Sequence, residues 1–375
     1  MKIIYINKTR LFDHMPSTVF SMLNAYNFAK NGADVTIILK IPHQEVQQDF
    51  ESYFNLKPLG NFHIRTFSDK FLGLSGNEFF YSKINQWILS QPTPDVIFTR
   101  DPGYLPFLAR IKKSRNLKAY YQSHNFYLDL SFQPDQKITN RKKYHRFEKK
   151  YLPLMDGMFT LNESQKKLYE KYINLPVHSV VPGLQKIYPV TDNFSQKIIV
   201  YSGSLQKDKG VDILLHSFAE IEHKAAKLVL LGGRHEQEIE PIRELAKKLK
   251  ITDRIEITGW LSFDDVQKRL KHATVGVIPL KDTFYNRYLT APSKLFDYIA
   301  HGIPVIASDL PAIRDIDLNH EHLFYIPAAN RQRLSQALDI FLSDPLAYEK
   351  YQIRSHELAK NYRWQDCSLR MMAKF

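Results

Sequence analysis

Short apolar runs alternate with segments of helical apolar spacing along the whole chain, the pattern of βαβ units around a parallel sheet. In the first half, residues 3–6, 34–39, 62–67, 95–99, 118–122, 157–161 and 179–181 are candidate strands. Between them, 17–30, 78–89, 105–113 and 164–172 have the apolar spacing of helices. Asn31-Gly32 closes the first helix, and Ser17, preceded by Pro16, is its expected N-cap. A polar stretch without periodicity, 183–196, holds Gly183, Pro189, Thr191, Asp192 and Asn193 and is the expected linker. The alternation then restarts, with strands at 197–201, 227–231, 255–258, 275–277, 305–307 and 323–326. Helices are expected at 211–222, 236–249, 263–271, 294–301, 331–344 and 346–361, followed by Trp364 and a short amphipathic tail. Each half thus reads as a doubly wound α/β domain, 1–185 and 186–360, with the tail 361–375 packing back on the first. Open α/β sheets bind ligands beyond the carboxyl ends of their strands. The chemistry is therefore expected on strand-to-helix loops facing a cleft between the two domains.

A length of 375 residues, 44% of them hydrophobic and 24% charged, suits two globular domains. No apolar run approaches the ~18–20 residues of a membrane-spanning helix. The opening Met1-Lys2-Ile3-Ile4-Tyr5-Ile6 is cut short by Asn7, Lys8, Thr9 and Arg10, so it reads as a buried strand and not a signal peptide. One cysteine, Cys367, excludes an internal disulfide framework and a cysteine-built zinc site. The fourteen histidines show no H-E-x-x-H spacing, no Ser-His-Asp arrangement stands out, and no metal site is expected. A cytoplasmic protein is the expectation. The net charge of +13 favours anionic partners. Lys137, Arg141, Lys142, Lys143, Arg146, Lys149 and Lys150 crowd residues 137–150, among Tyr144 and Phe147 and just before Tyr151. This run reads either as a solvated helix face or as a patch for an anionic membrane surface, where basic side chains and aromatics suit the headgroup layer. Without a helix-turn-helix, zinc-finger or RNP-type motif, nucleic acid is not an expected partner.

Two segments carry candidate chemistry. Val200-Tyr201-Ser202-Gly203-Ser204-Leu205-Gln206-Lys207-Asp208-Lys209-Gly210-Val211-Asp212 is a strand, a tight glycine-containing loop with two lysines, and a helix start. Free N–H groups, the positive end of the helix dipole and the charges of Lys207 and Lys209 suit a phosphate. It also fits a plain βα turn with solvated lysines. In Leu289-Thr290-Ala291-Pro292-Ser293-Lys294-Leu295-Phe296-Asp297-Tyr298-Ile299-Ala300-His301-Gly302-Ile303-Pro304-Val305, Pro292 suits a first helical turn and Gly302 the residue past a helix end. Asp297, one turn inside, is placed to accept from ribose hydroxyls, or simply to complement the helix dipole.

Together these segments resemble the donor-binding half of the family 4 glycosyltransferases. The elements Leu228-Val229-Leu230-Leu231-Gly232-Gly233 and Ile257-Thr258-Gly259-Trp260 are similar to the family's between them. In the first half, Asp95-Val96-Ile97-Phe98-Thr99-Arg100-Asp101, Gln122-Ser123-His124-Asn125 and Val180-Val181-Pro182-Gly183 resemble it more loosely. The resemblance implies a GT-B fold, two Rossmann-like doubly wound domains facing a central cleft. It implies retaining, metal-independent transfer from a nucleoside diphosphate sugar (UDP or GDP) to a lipid-linked or polysaccharide acceptor. No cofactor is implied, the nucleotide-sugar being a substrate. By the same resemblance Lys209 neutralises the pyrophosphate and Asp297 binds ribose. Thr290, Ala291, Pro292 and Ser293 form a phosphate-facing turn, with N–H groups at all but Pro292. Gly203, Ser204, Lys207, Gly232 and Trp260 complete the donor set. His124 resembles a histidine that faces the transferred sugar and its acceptor; read alone, a histidine after an apolar strand is as readily structural.

The chain departs from the family at four places. Leu289 stands where the first Glu of E-x7-E belongs, and Asp297 where the second does. Ser204 replaces a frequent Arg, leaving Lys207 to supply a second phosphate charge, and residues 10–18 contain no glycine. These departures leave open a catalytically weak nucleotide-sugar-binding subunit, and the shared architecture leaves open a nucleotide-sugar epimerase.

Overall fold

The computed structural model describes residues 1–13, 15–42, 50–132 and 140–375. The chain divides into two compact units, Met1–Val181 with Trp364–Phe375, and Pro182–Arg363. The first crossing lies ahead of the 185/186 boundary read from the sequence.

The first unit holds β1 (Lys2–Arg10), β2 (Asp34–Lys40), β3 (Phe62–Phe67), β4 (Lys70–Phe71), β5 (Leu74–Ser75), β6 (Val96–Thr99), β7 (Lys118–Gln122), β8 (Gly157–Thr160) and β9 (Val177–Ser179). β4 and β5 make an antiparallel hairpin. The others form a parallel sheet in the order β3-β2-β1-β6-β7-β8-β9. Ile3 of β1 faces Val35 on one side and Val96 on the other, so the winding reverses between β1 and β6. Ile3, Ile4, Tyr5 and Ile6 are all buried, as a strand covered on both faces requires, which explains a continuous apolar run without alternation. β9 sits at 177–179 and not 179–181, because its register sets Ser179 against Thr160. Helix Pro16–Lys30 begins on Pro16, whose preset φ and missing N–H suit that position. Met15 is its extended cap, and Ser17 lies inside the helix instead of capping it.

The basic run forms the helix Arg141–Tyr151, with Tyr144 and Glu148 buried one turn apart and Lys142, Arg146, Lys149 and Lys150 exposed. Lys137 lies outside the described residues. Glu148 accepts from the hydroxyls of Tyr121 (3.2 Å) and Tyr169 (3.0 Å) and from Tyr127 N (3.2 Å). Burial pushes its carboxyl up to about 8, so it is protonated at neutral pH and places no negative charge beneath the basic face.

The carboxyl-terminal segment completes this unit. Trp364 Nε1 donates to Asn24 Oδ1 (2.8 Å), and its ring meets Phe20 edge-on at 5.2 Å. The ring of Phe375 lies within 6.0 Å, centroid to centroid, of Phe28, Phe98, Tyr120 and Phe159.

The second unit holds β10 (Ile198–Ser202), β11 (Lys227–Leu231), β12 (Ile255–Ile257), β13 (Val275–Ile278), β14 (Val305–Ser308) and β15 (Phe324–Ile326). They form a parallel sheet in the order β12-β11-β10-β13-β14-β15, which reverses between β10 and β13. Leu214, Phe218, Leu338 and Phe341 belong to its core. Residues 183–196 are a strap on this unit and not a free linker. Leu184 N donates to Tyr362 O (2.7 Å), Tyr188 N to Ala300 O (2.8 Å) and Asn193 N to Tyr348 Oη (2.9 Å). Such single polar contacts leave no periodic signature. Among the described residues, no helix is long and apolar enough to cross a membrane.

Candidate functional site

The loop past β10 and the segment past β13 flank the reversal of the second sheet, the place where open α/β sheets take ligands. Gly203 leaves β10 with φ +120°, and its N–H donates to Leu231 O (2.8 Å). A Cβ on Gly232, at φ +156°, would come 2.0 Å from Gly203 O, so glycine there lets the two backbones touch. Tyr201 Oη donates to Ser204 O (2.6 Å), and Leu205 is buried. Lys207–Lys209 form one 3-10 turn, and helix Val211–Glu220 starts from Gly210 at φ +71°. A Cβ on Gly210 would lie 1.8 Å from Pro279 O, just past β13. Fully buried Asn286 donates through Nδ2 to Asp208 O and to Lys281 O, both at 2.9 Å. These contacts stitch the two loops together. Asn286 and its π-helical turn, Tyr285–Leu289, carried no recognisable signal in the sequence.

The cations divide unevenly. Lys209 Nζ pairs with Asp208 (2.8 Å) and lies 5.5 Å from the centroid of the Tyr285 ring. Lys207 is exposed. Lys294, which the sequence reading left out of the site, is buried beside Gly203. Thr290 is buried, and Ala291 and Pro292 are half-buried; they lead into helix Ser293–Ala300, where Pro292 is the extended cap and Ser293 is exposed. No side chain caps this helix start, which leaves its first N–H groups to water or an anion. Leu289 is fully buried: where the family motif has a carboxylate, this chain has a core residue. Trp260 follows β12, two strands from the reversal, and is half-exposed.

Asp297 is half-buried and held by a relay. Its Oδ1 accepts from Gln267 Nε2 (3.2 Å), Gln267 Oε1 bonds His301 Nε2 (2.9 Å), and the His301 ring stacks on Tyr188 at 4.1 Å. Burial lowers His301 to about 4, so the ring is neutral and donates to Gln267, which leaves the Gln267 amide to donate to Asp297. Burial raises Asp297 to about 6, and the Gln267 hydrogen bond works against that rise. Neither Gln267 nor Tyr188 stands out in the sequence.

The first unit gathers a second cluster at its own reversal. Lys8 Nζ donates to Asp101 Oδ1 and to Tyr144 Oη, both at 3.1 Å. Asp101 also accepts from the Tyr81 hydroxyl and from Gly103 N (2.9 Å). The Arg100 guanidinium lies 3.7 Å from the centroid of the Phe20 ring. His124 follows β7 and keeps accessible surface. The surrounding protein nevertheless disfavours its charged form, and Arg100 and Lys8 add like charge, so its pKa is held down to about 3 and the ring is neutral. Lys8 and Asp101 are 93 residues apart in the chain, and only the strand order brings them together.

Residues 196–344, which contain every donor-side residue above except Tyr188, match the family described as Glycosyl transferases group 1. Over this domain the chain is similar to the group 1 glycosyltransferases. The chain is 25% identical over 258 residues to the GDP-Man:Man(3)GlcNAc(2)-PP-Dol alpha-1,2-mannosyltransferase of Dictyostelium discoideum, covering 61% of this chain and 49% of that protein. It spans about half the length of the curated relatives it matches. Sucrose-phosphate synthase from Thermosynechococcus elongatus shares its fold, with a TM-score of 0.77 over 99% of this chain and 97% of that one at 16% identity. Anabaena Alr3699/HepE, solved in complex with UDP, has a TM-score of 0.75 over 100% and 99% of the two chains at 12% identity. At these identities the likeness is one of fold. The chain has the GT-B fold of two Rossmann-like domains that its motifs implied.

Proposed function

We propose that the chain transfers a sugar from a UDP- or GDP-sugar to a lipid-linked or polysaccharide acceptor in glycan biosynthesis, with retention at the anomeric carbon and without a metal ion. The observation that carries this reading is the grouping of Gly203, Gly232, Lys209 and the uncapped start of Ser293–Ala300 at the reversal of the second sheet, with Asp297 one turn inside. The Dictyostelium relative's name pairs a GDP-linked donor with a dolichol-linked acceptor, and HepE holds UDP, so both bases stay within the proposal. In the reaction the bond from the anomeric carbon to the leaving phosphate oxygen breaks. The acceptor hydroxyl oxygen bonds to that carbon on the same face, and its proton passes to the leaving phosphate. Lys209 stabilises the charge that develops on the diphosphate, a preorganised electrostatic role. Asp297 accepts from the ribose hydroxyls. His124, a neutral ring, is assigned to hydrogen bonds with sugar hydroxyls on the acceptor side.

The purified chain, given UDP- or GDP-sugars and a membrane-lipid extract as acceptor, should release nucleoside diphosphate only when both substrates are present. EDTA should leave that rate unchanged. Loss of activity on chelation would remove the metal-free mechanism, and no release with any donor would remove the transfer reading.

We also assign the basic helix and the neighbouring hairpin to an anionic membrane surface. Leu72 (φ +46°) and Gly73 (φ +81°) form the tip of the hairpin, with Leu72 87% exposed and Phe71 and Leu74 exposed beside it. Lys143 Nζ pairs with Glu78 (2.5 Å), tying the basic helix to the helix Asn77–Ser90 that follows the hairpin. Vesicles rich in acidic phospholipid should capture the protein in a salt-sensitive way. The pair Lys142→Glu and Arg146→Glu should weaken capture by about 1 kcal/mol per residue. Equal capture by neutral vesicles would overturn this assignment.

A further inference from the structure

The donor side carries a second ammonium group, that of Lys294. It is the second residue of helix Ser293–Ala300 and is only 8% exposed. Its Nζ lies 3.6 Å from the centroid of the Tyr201 ring, and a Cβ built on Gly203 would come 3.3 Å from both its Cε and its Nζ. Among the described residues no carboxylate, carbonyl or hydroxyl accepts a hydrogen bond from it. The charged groups that act on it are Lys209, which repels it, and Asp208, which attracts it but is already paired with Lys209.

Three features of this placement disfavour a positive charge. The residue is only 8% exposed, Lys209 acts on it as a like charge, and it occupies the first turn of a helix, where the dipole favours anions and opposes cations. The cation–π contact with Tyr201 offsets part of this. Desolvation and Lys209 accordingly hold its pKa well below the ordinary lysine value. An arrangement this unfavourable for the protein alone becomes favourable with an anion between the two lysines.

We propose that Lys294 is a phosphate-binding residue of the donor site, its ammonium taking a non-bridging oxygen of the nucleoside diphosphate beside Gly203 and Lys209. This rests on the donor-site reading given above. Lys294 then supplies a second cation beside Lys209, where Ser204 carries no charge.

Calorimetric titration of wild type, Lys294→Met and Asp297→Ala with UDP, GDP, uridine and guanosine tests this. Lys294→Met should bind the diphosphate about tenfold or more weakly, as loss of a charged hydrogen bond implies, while its nucleoside affinity stays unchanged. Its melting temperature should hold or rise, since the substitution removes a buried charge with no anionic partner of its own. Undiminished diphosphate affinity in Lys294→Met, with binding lost in Asp297→Ala, overturns the lysine's role and leaves the donor site standing. Equal loss of nucleoside and diphosphate binding together with a lower melting temperature marks a structural lysine and overturns it as well. Failure of the wild type to bind any nucleotide removes the donor-site reading, and this proposal with it.

Discussion

Asp297→Ala should weaken nucleotide binding by about a hundredfold or more, the loss expected for two charge-assisted hydrogen bonds of about 1.5–3 kcal/mol each. The pH dependence is the sharper test. Burial raises the Asp297 carboxyl to about 6, and only the ionised form accepts from both ribose hydroxyls. Wild-type affinity should therefore be flat above that value and fall by about tenfold per pH unit below it. The variant should lack this fall. Gln267→Ala removes the hydrogen bond that opposes the shift, so it should move the midpoint upward without abolishing binding. Titration calorimetry across the range decides the matter. A wild-type profile without a bend near 6, or one that persists in Asp297→Ala, would show that another group governs the nucleotide.

Gly210→Ala should destabilise the second unit by about 2–6 kcal/mol, from left-handed backbone strain plus a forced shift of packed atoms. The added methyl would sit 1.8 Å from Pro279 O, so one of the two stitched loops has to move. Gly32→Ala is the matched control: its φ is +92°, yet nothing lies within 4 Å of the new methyl. It should cost only the strain, about 1–2 kcal/mol. Thermal or urea unfolding measures both. Equal losses would show that strain alone matters and that the contact at Pro279 does not. Nucleotide affinity should fall in Gly210→Ala and stay unchanged in Gly32→Ala, because only the first displaces Lys209.

Much of the fold was legible because parallel strands buried on both faces read as short apolar runs. β2, β7 and β11 fall where those runs do. The register of β9 and the start of the first helix were misread for local reasons, a two-residue slide along β8 and a proline that opens the helix itself. The donor site was legible where a residue type answers a backbone need, as at Gly203, Gly210 and Gly232. It was illegible where an ordinary polar residue acts through distant partners. Gln267 and Tyr188 matter only because His301 joins them, and Asn286 only because two loops meet on its amide. Lys294 stood inside a recognised motif, but only its three-dimensional setting over Tyr201 separates it from a solvated lysine. Leu289 showed the converse: its difference from the family was visible, and its burial explains why a charge is absent there.

The first unit is built from two stretches of chain, with all of Pro182–Arg363 inserted between them. Residues 364–375 leave the ribosome after the whole inserted unit has been made. Until then the faces of Phe20, Phe28, Phe98 and Phe159 that Trp364 and Phe375 cover stay open to solvent or to a chaperone. The second unit, continuous in sequence, can fold during synthesis while the earlier-made one waits. The first unit to be made is therefore the last that can be completed, and a ribosome that stalls inside the second unit releases a first unit whose aromatic core still lacks its cover.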